Sequence, residues 1–168
     1  SSDSSRLLLS EVTTQKGILS AALFELDLST ETEAAVTEVS DVLPLSAVYA
    51  SNHVVLVGME GVVSLDANRT ATGWECQGEL QNFTVAPNGT VIFVNHDPLS
   101  AESVVTAISP EGKELGQAEP QEDILAVSSD GSRTLVLGKR TLFIYDSAMK
   151  LVEQKELEQT FIQVAQNG

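Results

Sequence analysis

A four-residue motif recurs along the chain at intervals close to 40 residues. It reads FELD ending at Asp27, VSLD at Asp66, AISP at Pro110 and FIYD at Asp146, so the intervals are 39, 44 and 36 residues. A short apolar run precedes each motif: RLLLSEV, HVVLVG, TVIFVN and RTLVLG. Runs of this length, bounded by turn residues, are typical of β-strands. The chain is therefore predicted to be all-β and built from four similar units.

Each apolar run follows a second short apolar segment and a turn. The sequences around these turns are SAVYASN, FTVAPNG and ILAVSSDG, and the chain ends in FIQVAQNG. Asn-Gly and Asp-Gly supply the positive backbone angles that a tight hairpin needs. Each unit therefore begins with an antiparallel hairpin.

A repeat of about 40 residues made of four short strands is typical of one blade of a β-propeller, because a blade cannot bury both of its faces alone. The predicted fold is β-propeller-like, with four blades' worth of four-stranded antiparallel sheets, forming either a closed small ring or a fragment of a larger propeller. The predicted inner strands are Ser46 to Ala50, Phe83 to Ala86, Ile124 to Ser128 and Phe161 to Ala165. The predicted outer strands lie near Ala34 to Val39, Gly73 to Leu80, Glu114 to Ala118 and Leu151 to Leu157. The last outer strand is rich in helix formers, and a helix is the alternative there.

The core between the blades should come from the central apolar positions of these strands. The residues expected there are Val85, Phe93, Val127, Leu135, Phe143, Ile144, Phe161 and Val164.

The two ends of the chain match the interior of a blade. SSDSSR at Ser1 to Arg6 resembles SSDGSR at Ser128 to Arg133, and the terminal FIQVAQNG resembles the strand and turn that precede a second strand. We treat residues 1–168 as one propeller domain or an excised part of one, and favour part of a larger propeller. The terminal strand then either pairs with the first strand of its own chain or completes a blade of another copy, which would give a homodimer.

The charge of the chain restricts its partners. Nine basic and 24 acidic residues give a net charge of -15, which repels nucleic acid and anionic lipid headgroups. No apolar stretch is long enough to span a membrane, so no membrane contact is expected from this segment. The single cysteine, Cys76, excludes an internal disulfide and a multi-cysteine zinc site.

No catalytic, metal-binding or cofactor-binding residue is predicted. His96 and Asp97 are adjacent, but neighbouring residues on a strand point to opposite faces. Asp27, Asp66, Asp130 and Asp146 are interpreted as turn residues that accept hydrogen bonds from backbone amides two residues on. His53 and His96 each lie near a predicted strand, and His96 is interpreted as a solvated loop histidine. The acidic positions interpreted as exposed faces of outer strands are Glu31, Glu33, Glu38, Glu153, Glu156 and Glu158.

The repeats VSSDGSRTLVLG with LFIYD, and VAPNGTVIFV, resemble the bacterial propeller repeats of the YVTN, TolB-like and quinoprotein-like kind. Within that group the chain is similar to the propeller-like ectodomain of a membrane-anchored bacterial family without an assigned function. The resemblance implies a place on the bacterial cell exterior, with an anchor outside this segment. Trp74, eight residues after Asp66, is similar to the docking tryptophan of quinoprotein propellers, but Ala35, Ala118 and Gln154 replace it in the other units. We interpret it as packing between blades.

Two functions follow from these observations. The favoured one is a non-enzymatic interaction scaffold whose blade loops bind a protein or cell-envelope ligand. The alternative is a propeller hydrolase or lyase, whose site in the central channel takes one residue from each of several blades. The side chains on the inner strands distinguish the two, because a catalytic channel needs converging His, Arg and carboxylate groups. The sequences of the inner strands predict Val, Ala and Ser there.

Overall fold

The described residues form four antiparallel sheets. The computed structural model describes residues 6–15, 18–30, 32–40, 43–50, 52–96 and 103–165. The first sheet contains β1 (Arg6–Gln15), β2 (Ile18–Asp27) and β3 (Thr32–Ser40). The second contains β4 (Pro44–Ala50), β5 (His53–Gly58), β6 (Gly61–Leu65) and β7 (Ala71–Glu75).

The third and fourth sheets have the same up-and-down order as the second. The third contains β8 (Glu79–Val85), β9 (Val91–His96), β10 (Ser103–Ile108) and β11 (Glu114–Ala118). The fourth contains β12 (Ile124–Ser129), β13 (Arg133–Gly138), β14 (Thr141–Asp146) and β15 (Leu151–Glu156). The predicted all-β, propeller-like fold is confirmed.

Several predicted strand positions agree with the structure. The outer strand β11 has the predicted bounds, and β15 is a strand rather than a helix. The predicted outer strand Gly73 to Leu80 is wrong, because β7 ends at Glu75 and the inner strand β8 already begins at Glu79.

The predicted inner strand Phe161 to Ala165 is also wrong. This segment belongs to no sheet, and Phe161 lies exposed. A strand needs a partner for its backbone N–H and C=O groups. The matching edge strand, β1, lies in the first sheet, whereas the segment follows the fourth.

The hydrophobic core consists of three layers, one between each pair of successive sheets. Between the first and second sheets lie Leu23, Val39, Val54, Leu56 and Leu65. Between the second and third lie Ala50, Val55, Val57, Val62, Val91, Phe93 and Ile108. Between the third and fourth lie Ile92, Val94, Val105, Ala107, Ile124, Val136, Tyr145 and Met149.

The predicted core residues divide into three groups. Phe93 is fully buried, which stabilises the fold by roughly 1.5–3 kcal/mol. Val85, Val127 and Phe143 are partly buried and pack against the layers. The remaining residues are Leu135, Ile144 and Val164, which are half-buried, and Phe161, which is exposed.

The turn after the third strand of a sheet has a repeated geometry. The backbone N–H groups of Asp66, Ser109 and Asp146 each donate to the carbonyl four residues on. The residue three positions into each of these turns has a positive φ: 64° at Arg69, 76° at Gly112 and 58° at Met149. The third motif therefore aligns on Ser109 rather than Pro110, because the Ser109 hydroxyl accepts from Glu111 and Lys113 as an aspartate would.

These turns connect each sheet to the one before it. The guanidinium of Arg69, from the second sheet, forms an ion pair with Glu25 of the first sheet. The hydroxyl of Ser64, in the second sheet, donates to the carbonyl of Pro110 of the third. Met149 of the fourth sheet packs in the same core layer as Ala107 of the third.

The receiving residues occupy equivalent positions. Glu25, Ser64 and Ala107 each lie two residues before the first residue of their own turn, which is Asp27, Asp66 or Ser109. The residue that receives the turn therefore has the same position in the first three sheets. The contact it makes is ionic at Glu25, a hydrogen bond at Ser64 and apolar at Ala107.

The ionic contact places a buried carboxylate beside a half-buried guanidinium. The side chain of Glu25 is 2% exposed and that of Arg69 is 29% exposed. The hydroxyl of Tyr49 donates to Glu25 at 2.8 Å, and the guanidinium of Arg6 lies 4.0 Å from the same carboxylate oxygen.

We expect Arg69→Ala to lower the free energy of unfolding by about 3–5 kcal/mol, because it leaves a buried carboxylate without its main counter-ion. Lys155→Ala is the matched control, since Lys155 pairs with Glu153 at an exposed site and should contribute about 0–1 kcal/mol. Chemical denaturation measures both values. Adding Glu25→Leu to Arg69→Ala should restore part of the loss, and a further loss would contradict the buried-charge explanation.

Candidate interaction surface

The stack of sheets has two ends that differ in chemistry. We call the end at which the inner strands β4, β8 and β12 begin the upper rim, and the end at which they finish the lower rim. No described residues form a helix long and apolar enough to cross a membrane.

The lower rim consists of turns whose polar groups bond to their own backbone. Asp66 accepts from the amides of Asn68 at 2.9 Å and Thr70 at 2.7 Å. Asp146 accepts from Ala148 and Lys150, both at 2.9 Å. The interpretation of these aspartates as turn residues is supported, since their oxygens fill positions that the turn itself requires.

The inner turns of the lower rim also pack against one another. A Cβ on Gly89 would overlap the Cβ of Ala50 in the second sheet. Likewise, a Cβ on Gly131 would overlap the side chain of Asn88 in the third sheet. Because both glycines also have a positive φ, the hairpin sequences satisfy a turn and an inter-sheet contact together.

The upper rim carries an exposed apolar patch. Leu43, Leu45 and Met59 are 38%, 48% and 53% exposed. They lie together because Pro44, between the two leucines, pairs with Gly58, which precedes Met59. We call these three residues the upper-rim patch. Glu60, which is also exposed, follows Met59 directly.

A polar group of residues lies farther around the upper rim. Lys139 forms an ion pair with Asp123, and its hydrogen bond and charge lower the pKa of the Asp123 carboxyl, with a smaller contribution from His96. The amide of Arg140 donates to Glu122 at 2.9 Å. The Lys139–Asp123 pair is well exposed, so it contributes little to stability.

The inner strands carry mainly uncharged side chains. Their sequences are PLSAVYA in β4, ELQNFTV in β8 and ILAVSS in β12, with Glu79 as their single charged residue. Within these three strands, no His, Arg and carboxylate groups converge as a catalytic channel would require.

The two histidines lie at opposite ends of the stack. His53 begins β5 at the lower rim, and His96 ends β9 at the upper rim, so the fold does not bring them together. The prediction of a solvated loop histidine at His96 is wrong, because β9 extends to His96, which pairs with Ser103 and Glu79. Its Nδ1 atom is buried and makes no hydrogen bond with any described residue. Asp97, its neighbour in sequence, lies outside the described residues. Among the residues that are described, no three metal-ligating side chains form a cluster.

Trp74 lies between the second and third sheets, as interpreted from the sequence. Its ring meets that of Phe93 edge to face, with centroids 5.3 Å apart. The indole N–H donates to a carboxylate oxygen of Glu114 at 3.2 Å. This pairing of an apolar body with a hydrogen-bonded N–H is usual for a packed tryptophan.

The predicted acidic positions are described only in part. Glu153, Glu156 and Glu158 are exposed, as expected. Glu31 and the side chains of Glu33 and Glu38 lie outside the described residues. The upper-rim patch was missed from sequence because one residue at the start of β4 and two in connections form no periodic pattern.

Solved structures similar to this chain are β-propellers. BBS1N in complex with ARL6DN has a TM-score of 0.58 at 13% identity, covering 94% of this chain and 57% of that one. A chain of the S. cerevisiae complex of dbp5 bound to nup159 has a TM-score of 0.58 at 13% identity, covering 94% of this chain and 42% of that one. BamB from Moraxella catarrhalis has a TM-score of 0.54 at 9% identity, covering 91% of this chain and 51% of that one. No family model and no curated protein matches the sequence.

These matches define the fold as that of a β-propeller. The chain spans about half the length of the solved proteins that it matches. Its four sheets thus superpose on part of a larger ring.

The turn aspartates lead to a test by titration. Hydrogen bonds lower the pKa of both Asp27 and Asp130 below the ordinary 3.8. The hydroxyl of Ser29 is the largest cause at Asp27, whereas the backbone amides of Arg133 and Ser132 are the largest causes at Asp130. Ser29→Ala should therefore raise the pKa of Asp27 more than Ser132→Ala raises that of Asp130, as measured by NMR titration of the carboxyl carbons.

The sign of the effect on stability follows from the same shifts. Because the folded pKa values are lowered, both aspartates stabilise the fold above pH 3.8, and this contribution is lost as the pH falls through the folded values. Equal shifts in the two serine variants would contradict the assignment of the dominant donor.

Proposed function

We propose that this chain is a non-enzymatic interaction scaffold, which binds a protein or cell-envelope ligand through its blade connections. The observation that carries the proposal is the upper-rim patch of Leu43, Leu45 and Met59. Polar groups of the lower-rim turns are occupied by their own backbone, whereas these apolar side chains are left exposed at the connections of the upper rim.

The chemistry of the patch indicates the kind of partner. Apolar side chains that are buried on binding contribute most of the affinity at protein interfaces, and charges around them favour particular partners. The net charge of -15 and the neighbouring Glu60 favour a partner with an apolar anchor surrounded by basic residues. Similar propellers occur in protein complexes, as the BBS1N and nup159 structures do.

The proposed place of action is the exterior of a bacterial cell, with an anchor outside this segment. The support is the resemblance of the repeats to bacterial exterior propellers.

Photocrosslinking tests the scaffold. With p-benzoylphenylalanine in place of Met59, illumination of the cells should give an adduct of discrete mass, and Leu45→Glu in the same chain should abolish it. The matched control carries the crosslinker in place of Ala67, an exposed residue of a lower-rim turn, and should give no such adduct. An equal adduct from Ala67, an adduct that survives Leu45→Glu, or no adduct at all would overturn the assignment of the upper rim.

Surface labelling tests the location. In a Cys76→Ser background, Ala67→Cys should react with a membrane-impermeant maleimide in intact cells as fully as after lysis. The same background without the added cysteine is the control. Labelling only after lysis would reject an exterior location.

A further inference from the structure

The first and fourth sheets each have one face without a neighbouring sheet among the described residues. The three core layers join the first sheet to the second, the second to the third and the third to the fourth. None of them joins the fourth sheet to the first. On the open face of the first sheet, Leu7 and Leu9 are 42% and 46% exposed.

The first sheet also has an open inner edge. β1 is the edge strand of that sheet and lies beside the inner strand β4 of the second sheet. In each of the three other sheets, an inner strand precedes the strand that carries the long apolar run. The first sheet has no such inner strand among the described residues. The edge of β1 along Leu8 to Val12 pairs with no strand of the described residues, so a further strand can add there.

The chain contains a segment with the sequence of such a strand. FIQVA, at Phe161 to Ala165, aligns with ILAVS of β12, and it lies outside every sheet with Phe161 and Ile162 exposed. The SSDSSR and SSDGSR match aligns Leu9 with Val136. Since Val127 pairs with Val136 in the fourth sheet, the equivalent pair is Val164 with Leu9.

The open face of the fourth sheet has a matching position. Ile144 is the equivalent of Glu25, Ser64 and Ala107, the residues that receive the turn of the following sheet. It is half-buried and packs in none of the core layers. The equivalent turn of the first sheet begins at Asp27, and Leu28, at the position that Pro110 occupies beside Ser64 in the third-sheet turn, is 52% exposed. An apolar turn residue therefore fits an apolar receiving position.

The length of similar propellers favours a ring completed by a second copy over a ring closed by a single chain. Propellers onto which these four sheets superpose extend for about as many residues again. The sheets therefore turn through only part of a circle, which separates the fourth sheet from the first of the same chain. Two copies provide the sheets that complete it.

We propose that two copies of this chain form a two-fold symmetric ring of eight sheets, in which Phe161 to Ala165 of each copy adds to β1 of the other. Val164 pairs with Leu9 of the second copy, and Leu28 packs against Ile144. The two contacts are identical by symmetry, and together they pair the open edge of β1 and cover the open faces of the first and fourth sheets. This inference does not depend on the proposed function.

Light scattering of the 168-residue chain measures the assembly. We expect twice the monomer mass of 17.9 kDa. Gln163→Pro should give the monomer, because proline removes an N–H and disfavours the strand, whereas Gln159→Pro, outside the added strand, should leave the dimer intact. A monomeric wild-type chain, or a dimer that Gln163→Pro leaves unchanged, would overturn the proposal.

A second pair of variants tests the face contact. Leu28→Asp should raise the dissociation constant of the dimer by about tenfold or more, because it prevents the burial of an apolar side chain in each half of the ring. Leu115→Asp is the control, since Leu115 is similarly exposed but lies on the outer strand β11. Equal effects of the two substitutions would contradict the assigned contact.

Disulfide trapping tests the register. In a Cys76→Ser background, the Leu9→Cys and Val164→Cys pair should give a covalent dimer under mild oxidation with oxidised glutathione. The Leu8→Cys and Val164→Cys pair should not, because successive side chains of a strand point to opposite faces. A disulfide within one chain would instead show that the chain closes on itself, and equal dimer from both pairs would reject the register.

Discussion

The burial of sheet faces against neighbouring sheets is the interaction on which this structure depends. Strands β5, β9 and β10 are buried along almost their whole length, and their apolar side chains point to both faces of the sheet. Such a strand is stable only between two other sheets. Each blade therefore obtains its stability from its neighbours, and an end blade is left with an apolar face.

The third-strand turns determine how successive sheets fit together. Two of these turns place a non-glycine residue at a positive φ, which is an unfavourable conformation. Arg69 and Met149 are accommodated there because their side chains reach the preceding sheet, one by an ion pair and the other by apolar packing. Different chemistry at equivalent positions makes each pair of sheets distinct, which favours one order of assembly over slipped alternatives.

The two rims differ in how far their side chains are used to hold the fold together. On the lower rim, the aspartates bond to the amides of their own turns and the turn glycines pack against adjacent turns, so substitutions at those residues should destabilise the fold. On the upper rim, Leu43, Leu45 and Met59 are exposed without a structural use among the described residues. The proposed recognition would therefore use a surface that the packed turns of the lower rim hold in place.

The sequence by itself determined the number of units, their strand content and the chemistry of their turns, because these follow from local periodicity and from the backbone preferences of Asn-Gly and Asp-Gly. It also predicted the packing of Trp74. It did not predict the Glu25–Arg69 ion pair, whose partners come from different blades, or the upper-rim patch, whose residues meet through the pairing of Pro44 with Gly58. The sequence pattern assigned Phe161 to Ala165 to a strand, and the tertiary structure decided otherwise. A strand pattern shows the conformational preference of a segment. Whether an unpaired strand edge lies close enough to pair with it depends on the arrangement of the successive sheets.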